Sequence, residues 1–215
     1  MTTRIEKDPL GEKAVPADAL YGIQTLRAVE NYPISGLRPL PAFVDAVIQI
    51  KKAAALTHKE TGRLDAKLAD AIAAAATEVL AGHHRDQFVV DVYQAGAGTS
   101  HNMNCNEVLA NRANELLGAA RGSYAPVHPN DHVNMAQSTN DVYPTAVKLA
   151  LQLGIRRLAE EMRVLRAAFE AKAAQFQDVL KVGRTQLQDA VPMTLGQEFS
   201  TYAVMIGEDE QRLAE

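Results

Sequence analysis

The stretch at residues 128–145, HPNDHVNMAQSTNDVYPT, is rich in small polar side chains and contains no Lys, Arg or Glu. Pro144 restricts its structure, because proline lacks an N–H and its ring collides with the carbonyl four residues back. A helix is therefore expected to hold Pro144 only in its first turn. The helix that continues through Val147 and Leu151 should then begin close to Asn140. This places three small polar residues at the helix start: Ser138, Thr139 and Asn140.

The start of a helix is a natural binding site for an anion. Its first backbone N–H groups have no partner within the helix, and the helix macrodipole is positive there. Hydroxyl and amide side chains beside such N–H groups favour a bound carboxylate or phosphate. The alternative interpretation is an ordinary N-cap, since Ser, Thr, Asn and Asp are the preferred residues at that position. One Ser-Thr-Asn-Asp sequence does not distinguish the two, so the rest of the chain has to decide.

Composition favours a helical protein. Hydrophobic residues make up 47% of the 215 residues and aromatic residues only 5%; alanine, which recurs in runs, has the highest helix propensity. The net charge of −4, without a basic tract, argues against nucleic acid and anionic membrane as partners. No apolar run reaches the length of a membrane span. The single cysteine, Cys105, excludes an internal disulfide, and the cytoplasm is the expected compartment.

Hydrophobic spacing and capping residues predict a mainly α fold. Residues 1–22 are expected to be irregular because glycines and prolines interrupt them. Asp65 is predicted to cap a helix, and Thr194 with Gln197 has the spacing of a capping box for another. The predicted helices cover residues 23–29, 41–62, 66–82, 102–118, 140–176 and the segment from 195 onward.

A heptad pattern marks the longest predicted helix. Its apolar residues form two interleaved series: Ile155, Met162, Phe169 and Phe176, with Leu151, Leu158 and Leu165. Such a seam is typical of a helix packed lengthwise in a bundle, which several subunits can build together. We therefore expect an N-terminal, mostly helical domain over residues 1–139 and the first long helices of an incomplete central helical bundle over residues 140–215.

Two further polar clusters lie where helices are predicted to begin or end. The segment QAGAGT, Gln94–Thr99, contains two glycines that permit unusual backbone shapes, and Thr99 and Ser100 precede the helix expected near Asn102. The segment GRTQLQDAVP, residues 183–192, separates two long helical stretches. The chain thus carries three polar clusters at predicted helix ends.

These clusters together resemble the aspartase/fumarase superfamily and, within it, the aspartases. The segments that carry the resemblance are QAGAGTSHNMNCNEVLANRA, HPNDHVNMAQSTNDVYPTA and GRTQLQDAVPMTLGQE, and GEKAVPADALYGIQTLRAVENYPISG is similar to the aspartase N-terminus. The likeness covers essentially all 215 residues. It implies a homotetrameric, largely helical enzyme in which each active site draws on three subunits.

The resemblance also implies which residues bind the substrate carboxylates. They are Thr99, Ser100, Ser138, Thr139, Asn140, Thr185 and Gln186, and the last two are candidate catalytic residues as well. Gln186 stands where fumarases and some aspartases have histidine, and Met135 stands where fumarases usually have lysine; both favour an aspartase. A second anion site of fumarases is matched only in part, by His128, Asn130 and Asp131, because His132 follows instead of an acid.

The implied reaction is the reversible deamination of L-aspartate to fumarate and ammonia, through a carbanion that is stabilised as an aci-carboxylate. Preorganised hydroxyl, amide and backbone donors can supply this stabilisation, so no metal or organic cofactor is expected. His128 and His132 do not suggest a metal site, because Pro129 disfavours a helix that presents both on one face. Arg27 has two interpretations, as a carboxylate ligand or as a structural arginine.

The family's general base is a serine on a flexible loop far toward the C-terminus, and no segment of residues 1–215 matches that loop. We therefore expect this chain to be the N-terminal part of an aspartase and to be inactive alone. The alternative functions are a class II fumarate hydratase, which acts on the same four-carbon skeleton, and a non-catalytic helical fragment.

Overall fold

The computed structural model describes residues 2–215 and has the mainly α fold that the sequence predicts. The helices are α1 (Ile23–Asn31), α2 (Pro41–Glu60), α3 (Ala66–Leu80), α4 (Thr99–Leu116), α5 (Thr139–Gln175) and α6 (Leu195–Ala214). The strands are β1 (Thr3–Asp8), β2 (Gly11–Pro16), β3 (Leu180–Thr185) and β4 (Gln188–Thr194). A 3-10 turn at Arg85–Gln87 and a π-helical turn at Pro129–Val133 complete the regular structure. None of the helices within residues 2–215 is long and apolar enough to cross a lipid bilayer.

The chain folds into two compact units, the first ending at Ala150 and the second comprising Leu151–Glu215. Helix α5 contributes residues to both of them. The domain boundary predicted at residues 139 and 140 lies eleven residues earlier than this division, and it stays a prediction.

The expectation of an irregular N-terminal segment is wrong for residues 3–16, whereas residues 17–22 are irregular as expected. Strands β1 and β2 form an antiparallel hairpin in which Thr3 pairs with Pro16 and Asp8 with Gly11. The glycine and proline that interrupt a helical pattern suit a hairpin instead, because Gly11 adopts φ +115° at the turn and Pro16 ends an edge strand. Arg4 then ties the hairpin to the chain that follows, since its guanidinium donates to the carbonyls of Pro16, Ala19 and Tyr21.

The core of the first unit lies between α2, α3 and α4, where Ile48, Ile72 and Leu109 are fully buried. The predicted cap of α3 is confirmed, because the carboxylate of Asp65 accepts hydrogen bonds from the N–H groups of Lys67 and Leu68. A second carboxylate, from a residue far away in the sequence, accepts hydrogen bonds directly from the start of another helix. Glu107, fully buried in α4, accepts from the backbone N–H of Gly22, Gln24 and Thr25 at the start of α1.

The second unit contains the hairpin of β3 and β4 and the helix α6. The capping box is confirmed, because Thr194 Oγ1 accepts from the Gln197 N–H while the Gln197 side chain accepts from the Thr194 N–H. One apolar series of α5 packs within this unit, where Phe169 and Phe176 lie 6.0 Å and 5.8 Å from the ring of Phe199. The interleaved leucines of the seam are exposed: Leu151, Leu158 and Leu165.

Candidate active site

Helix α5 begins at Thr139, one residue before the predicted start at Asn140. Pro144 is the sixth residue of the helix, so the expectation that it must lie in the first turn is wrong. Proline there leaves only the carbonyl of Asn140 without its usual helical N–H donor. Because that carbonyl lies in the exposed first turn, the helix tolerates the loss.

Ser138 is the N-cap of α5. Its Oγ accepts from the Asn140 N–H at 3.1 Å, and its carbonyl accepts from the N–H groups of Asp141 and Val142. The cap interpretation therefore describes Ser138, although its hydroxyl stays exposed and can still donate its proton. Thr139, by contrast, is half-buried and takes no part in the cap. Its Oγ1 accepts from Asn102 Nδ2 at 3.2 Å.

Helix α4 begins at Thr99, three residues before the predicted start near Asn102, so that Thr99 and Ser100 form its first turn instead of preceding it. Gly98 is the N-cap, and its φ of +92° is a left-handed conformation that only glycine adopts without strain. Thr99 is exposed, and Ser100 lines a cleft of about 560 Å³ together with Arg27. The guanidinium of Arg27 is already bound to Asp8 through Nε at 2.8 Å and Nη2 at 3.0 Å, and it lowers the pKa of that carboxyl. This pairing favours the structural interpretation of Arg27.

The structure brings the starts of α4 and α5 together within the first unit. Asn102 in α4 donates to Thr139 and to Asn134 Oδ1, which precedes α5. The ring of Tyr143 in α5 packs against Gly98, so closely that a Cβ at this glycine would overlap the ring. Two helix starts that are predicted to bind carboxylates are therefore neighbours, with exposed hydroxyl groups at both.

His101, which follows the first cluster, is buried beside these helix starts. Its ring stacks on Tyr143 at 6.2 Å and lies 5.6 Å from Phe43. Burial lowers the pKa of His101 to about 4, and neither ring nitrogen has a hydrogen-bond partner among residues 2–215. At neutral pH this imidazole is therefore uncharged and supplies no positive charge for a substrate.

Sequence reasoning missed the residues that hold the segment before α5. The ammonium of Lys51, fully buried in α2, donates to Asn134 Oδ1 at 2.7 Å and to Gln137 Oε1 at 2.9 Å. His58 contacts the carbonyl of Met135 through Nε2 at 3.0 Å. The sequence offered one weak signal for Lys51, which is that the helical period places this lysine on the core side of its helix. Buried lysines are rare unless they have a partner, so a lysine at such a position suggests a specific contact.

Thr185 and Gln186 lie in the second unit, at the turn between β3 and β4. Thr185 pairs with Gln188, which leaves Gln186 and Leu187 as the two turn residues. Both have positive φ, at +49° and +60°, and hairpin turns of that kind normally contain glycine or asparagine. Thr185, Gln186 and Leu187 are exposed, so their side chains are available to bind a ligand. Backbone strain of this kind is often found at functional sites.

Of the residues that match the second anion site of fumarases, Asn130 and Asp131 lie in the π-helical turn and His128 is its N-cap. His128 Nδ1 accepts from the N–H groups of Asn130 and Asp131, and the His128 N–H donates to His132 Nδ1 at 2.8 Å. The side chains of Asn130 and Asp131 are exposed. Across residues 2–215, no three metal-binding side chains cluster closely enough to hold an ion.

Comparison with known proteins places this arrangement in a family of enzymes. Residues 11–215 match the family model described as Lyase, and the chain belongs to that family. Its helical fold is that of the aspartase/fumarase superfamily. Among the curated relatives, the chain is 53% identical over 213 residues to the aspartate ammonia-lyase of Escherichia coli K12. It is 54% identical over 214 residues to the aspartate ammonia-lyase of Pseudomonas aeruginosa.

The similarity covers nearly all of this chain but only part of its relatives. The two matches include 98% and 99% of the chain and 45% of each relative, so the chain spans less than half of their length. Solved structures show the same partial coverage. The fumarate lyase:delta crystallin of Brucella melitensis has a TM-score of 0.94 at 54% identity, covering 98% of this chain and 50% of that one. The class II fumarase of Schistosoma mansoni has a TM-score of 0.91 at 39% identity, covering 98% and 44%.

Proposed function

We propose that this chain provides carboxylate-binding parts of an aspartate ammonia-lyase, which converts L-aspartate to fumarate and ammonia. The observation that carries the proposal is the meeting of the α4 and α5 starts, where Asn102 links the two clusters through Thr139. The similarity to curated aspartate ammonia-lyases at 53% and 54% identity supports the choice of substrate.

The proposed site suits a reaction that builds up negative charge on a carboxylate. A base removes a proton from Cβ of aspartate, and the electron pair delocalises into the adjacent carboxylate. The pair then forms the C=C bond as the C–N bond breaks, and nitrogen leaves with its bonding electrons as ammonia. Hydroxyl and amide donors from Thr99, Ser100, Ser138, Thr139 and Asn140 would hold the carboxylates and stabilise this charge. We assign Thr185 and Gln186 to the same task in the assembled enzyme.

The assembly that we propose is a homotetramer in the cytoplasm. Leu151, Leu158 and Leu165 are 59%, 50% and 46% exposed, although their heptad spacing is typical of a packed seam. Leucines in such a seam become buried when further helices pack beside them. This supports the expectation that subunits combine their long helices.

A protein limited to these 215 residues should show no measurable lyase activity. The side chains that we propose as carboxylate ligands are hydroxyls and amides, which donate hydrogen bonds but accept a proton poorly at neutral pH. The resemblance places the general base on a loop that this sequence does not contain. The purified protein should form no fumarate from L-aspartate in an ultraviolet absorbance assay, and robust conversion would show that the base lies among these residues.

The complete product of the gene that encodes this chain should release ammonia from L-aspartate and should hydrate fumarate to malate negligibly. The choice matters because the class II fumarase of Schistosoma mansoni shares the fold. Gln186, which cannot titrate as a histidine would, favours the ammonia-lyase. Both reactions can be measured on one sample, through ammonia release and malate formation. A preference for hydration would assign the protein to the fumarases.

A further inference from the structure

The buried ammonium of Lys51 has unusual partners. Lys51 belongs to α2 and is fully buried. Its ammonium donates hydrogen bonds to two amide oxygens, Asn134 Oδ1 and Gln137 Oε1. No carboxylate pairs with it in the part of the chain that the structure describes, where the titratable group that interacts with this ammonium is the thiol of Cys105. A lysine without an ion-pair partner is expensive to bury, so such a residue calls for an explanation beyond packing.

A lysine ammonium donates hydrogen bonds and cannot accept them, so it fixes the orientation of the amides it meets. The oxygens of Asn134 and Gln137 must face Lys51. Their NH₂ groups must then point away, and Asn134 Nδ2 donates to the Gln137 carbonyl while Gln137 Nε2 donates to the Val133 carbonyl. Lys51 and these two backbone carbonyls together set the direction of the side-chain hydrogen bonds of Asn134 and Gln137.

The orientation of the Asn134 amide also determines how Asn102 is oriented toward Thr139. Because Asn134 Oδ1 is held as an acceptor, the neighbouring side chain must present its NH₂ group, and Asn102 Nδ2 donates to Asn134 Oδ1 at 3.0 Å and to Thr139 Oγ1 at 3.2 Å. Asn102 Oδ1 is left buried without a partner among residues 2–215. This unsatisfied oxygen is expected only if the orientation is imposed from outside Asn102. Thr139 Oγ1 accepts from Asn102, which leaves its own proton free to donate elsewhere.

We propose that Lys51 is a positioning residue that makes the Thr139 hydroxyl a donor toward a substrate carboxylate, acting through Asn134 and Asn102. The inference rests on the proposed function, because it concerns the same carboxylate site. Without the ammonium, Asn134 Oδ1 loses its charged donor and only the Gln137 carbonyl still orients this amide, so Asn134 and Asn102 become freer to rotate by half a turn. Asn102 Oδ1 then accepts the Thr139 proton, and the hydroxyl presents lone pairs to the incoming carboxylate and repels it.

The pH dependence of binding follows from the surroundings of Lys51. Burial lowers the pKa of its ammonium to about 8, and the facing titratable group is Cys105 on α4, whose thiol pKa is raised to about 12 by burial. The segment before α5 presents only neutral amides to Lys51. The ammonium is therefore present below pH 8 and is lost as the pH rises through that value, whereas Cys105 stays neutral throughout. A neutral amine can accept a hydrogen bond, so Lys51 then no longer imposes the orientation of the amides, and only the backbone carbonyls still favour it.

The test uses the complete gene product and succinate, a dicarboxylate that has no leaving group and no titration near pH 8. Calorimetry should give about tenfold weaker succinate binding for Lys51→Met, the scale of a hydrogen bond to a charged group. Thr139→Val should weaken binding similarly, and the double variant should bind no more weakly than Thr139→Val alone. Lys52→Met, which removes the same charge from the adjacent half-buried position, should bind succinate normally.

The outcomes separate this inference from the proposed function. If Thr139→Val weakens binding while Lys51→Met has no effect, or if the two losses multiply in full, the role of Lys51 is refuted and the carboxylate site stands. If Thr139→Val has no effect, the carboxylate site itself is refuted, and the inference with it.

The unaltered protein provides a test that does not depend on the folding of Lys51→Met. Its affinity for succinate should fall as the pH rises through 8, and this fall should be absent in Lys51→Arg, where the side chain stays charged and can only donate. An affinity that is constant across pH 8 in the unaltered protein would refute the inference.

Discussion

Replacing Thr139 by valine in the complete gene product should lower kcat/KM for L-aspartate about a hundredfold or more, the scale observed when a donor to developing charge is removed. Valine keeps the shape of threonine and deletes the hydroxyl. This variant separates substrate binding from helix capping, because Ser138 is the cap of α5 and Thr139 is not. Helix stability should therefore change little. Steady-state kinetics and thermal unfolding on the same sample measure both quantities.

Two matched variants control this experiment. Thr145→Val makes the same change on an exposed position of α5 and should leave both kcat/KM and the melting temperature nearly unchanged. Ser138→Ala removes the cap hydroxyl and should lower the free energy of unfolding by about 1 kcal/mol. If Thr139→Val destabilises the protein by that amount and leaves kcat/KM unchanged, Thr139 is a structural residue and the carboxylate site must be abandoned.

The sequence predicted most helices because their evidence is local. Asp65 lies beside the N–H groups that it caps, and Thr194 and Gln197 are three residues apart. The N-terminal hairpin was missed because glycine and proline were judged only as helix breakers. Gly11 and Pro16 in fact occupy the turn and strand-end positions that suit them.

The candidate site was predictable only in part, for the same reason. Small polar residues at a helix start can be recognised locally, and Ser138 and Thr139 were found in this way. Their support comes from distant segments: Asn102 lies 37 residues before Thr139, and Lys51 lies 83 residues before Asn134. No periodicity relates such positions. The different roles of Ser138 and Thr139 also depend on these contacts, because both are typical N-cap residues.

Replacing Gly98 by alanine should destabilise the first unit and also reduce activity. The φ of +92° is unfavourable for any residue with a Cβ, and the added methyl group would overlap the ring of Tyr143. Strain of about 1–2 kcal/mol and overpacking of a similar size predict a loss of roughly 3 kcal/mol in the free energy of unfolding. The collision also displaces the α4 start from the α5 start. A displacement of about 1 Å can reduce turnover a hundredfold, so kcat/KM should fall on that scale.

Gly96→Ala is the matched control, because Gly96 also has positive φ, at +64°, but a Cβ there meets no atom within 4 Å. It should show the backbone strain alone, about 1 kcal/mol, and nearly normal activity. The contact itself can be isolated by making Gly98→Ala in a Tyr143→Ala background, where only the strain should remain. If Gly98→Ala costs the same in both backgrounds, Tyr143 does not hold the two helix starts together. The proximity of the two proposed carboxylate-binding clusters would then depend on the Asn102 hydrogen bonds and on the core shared by α4 and α5.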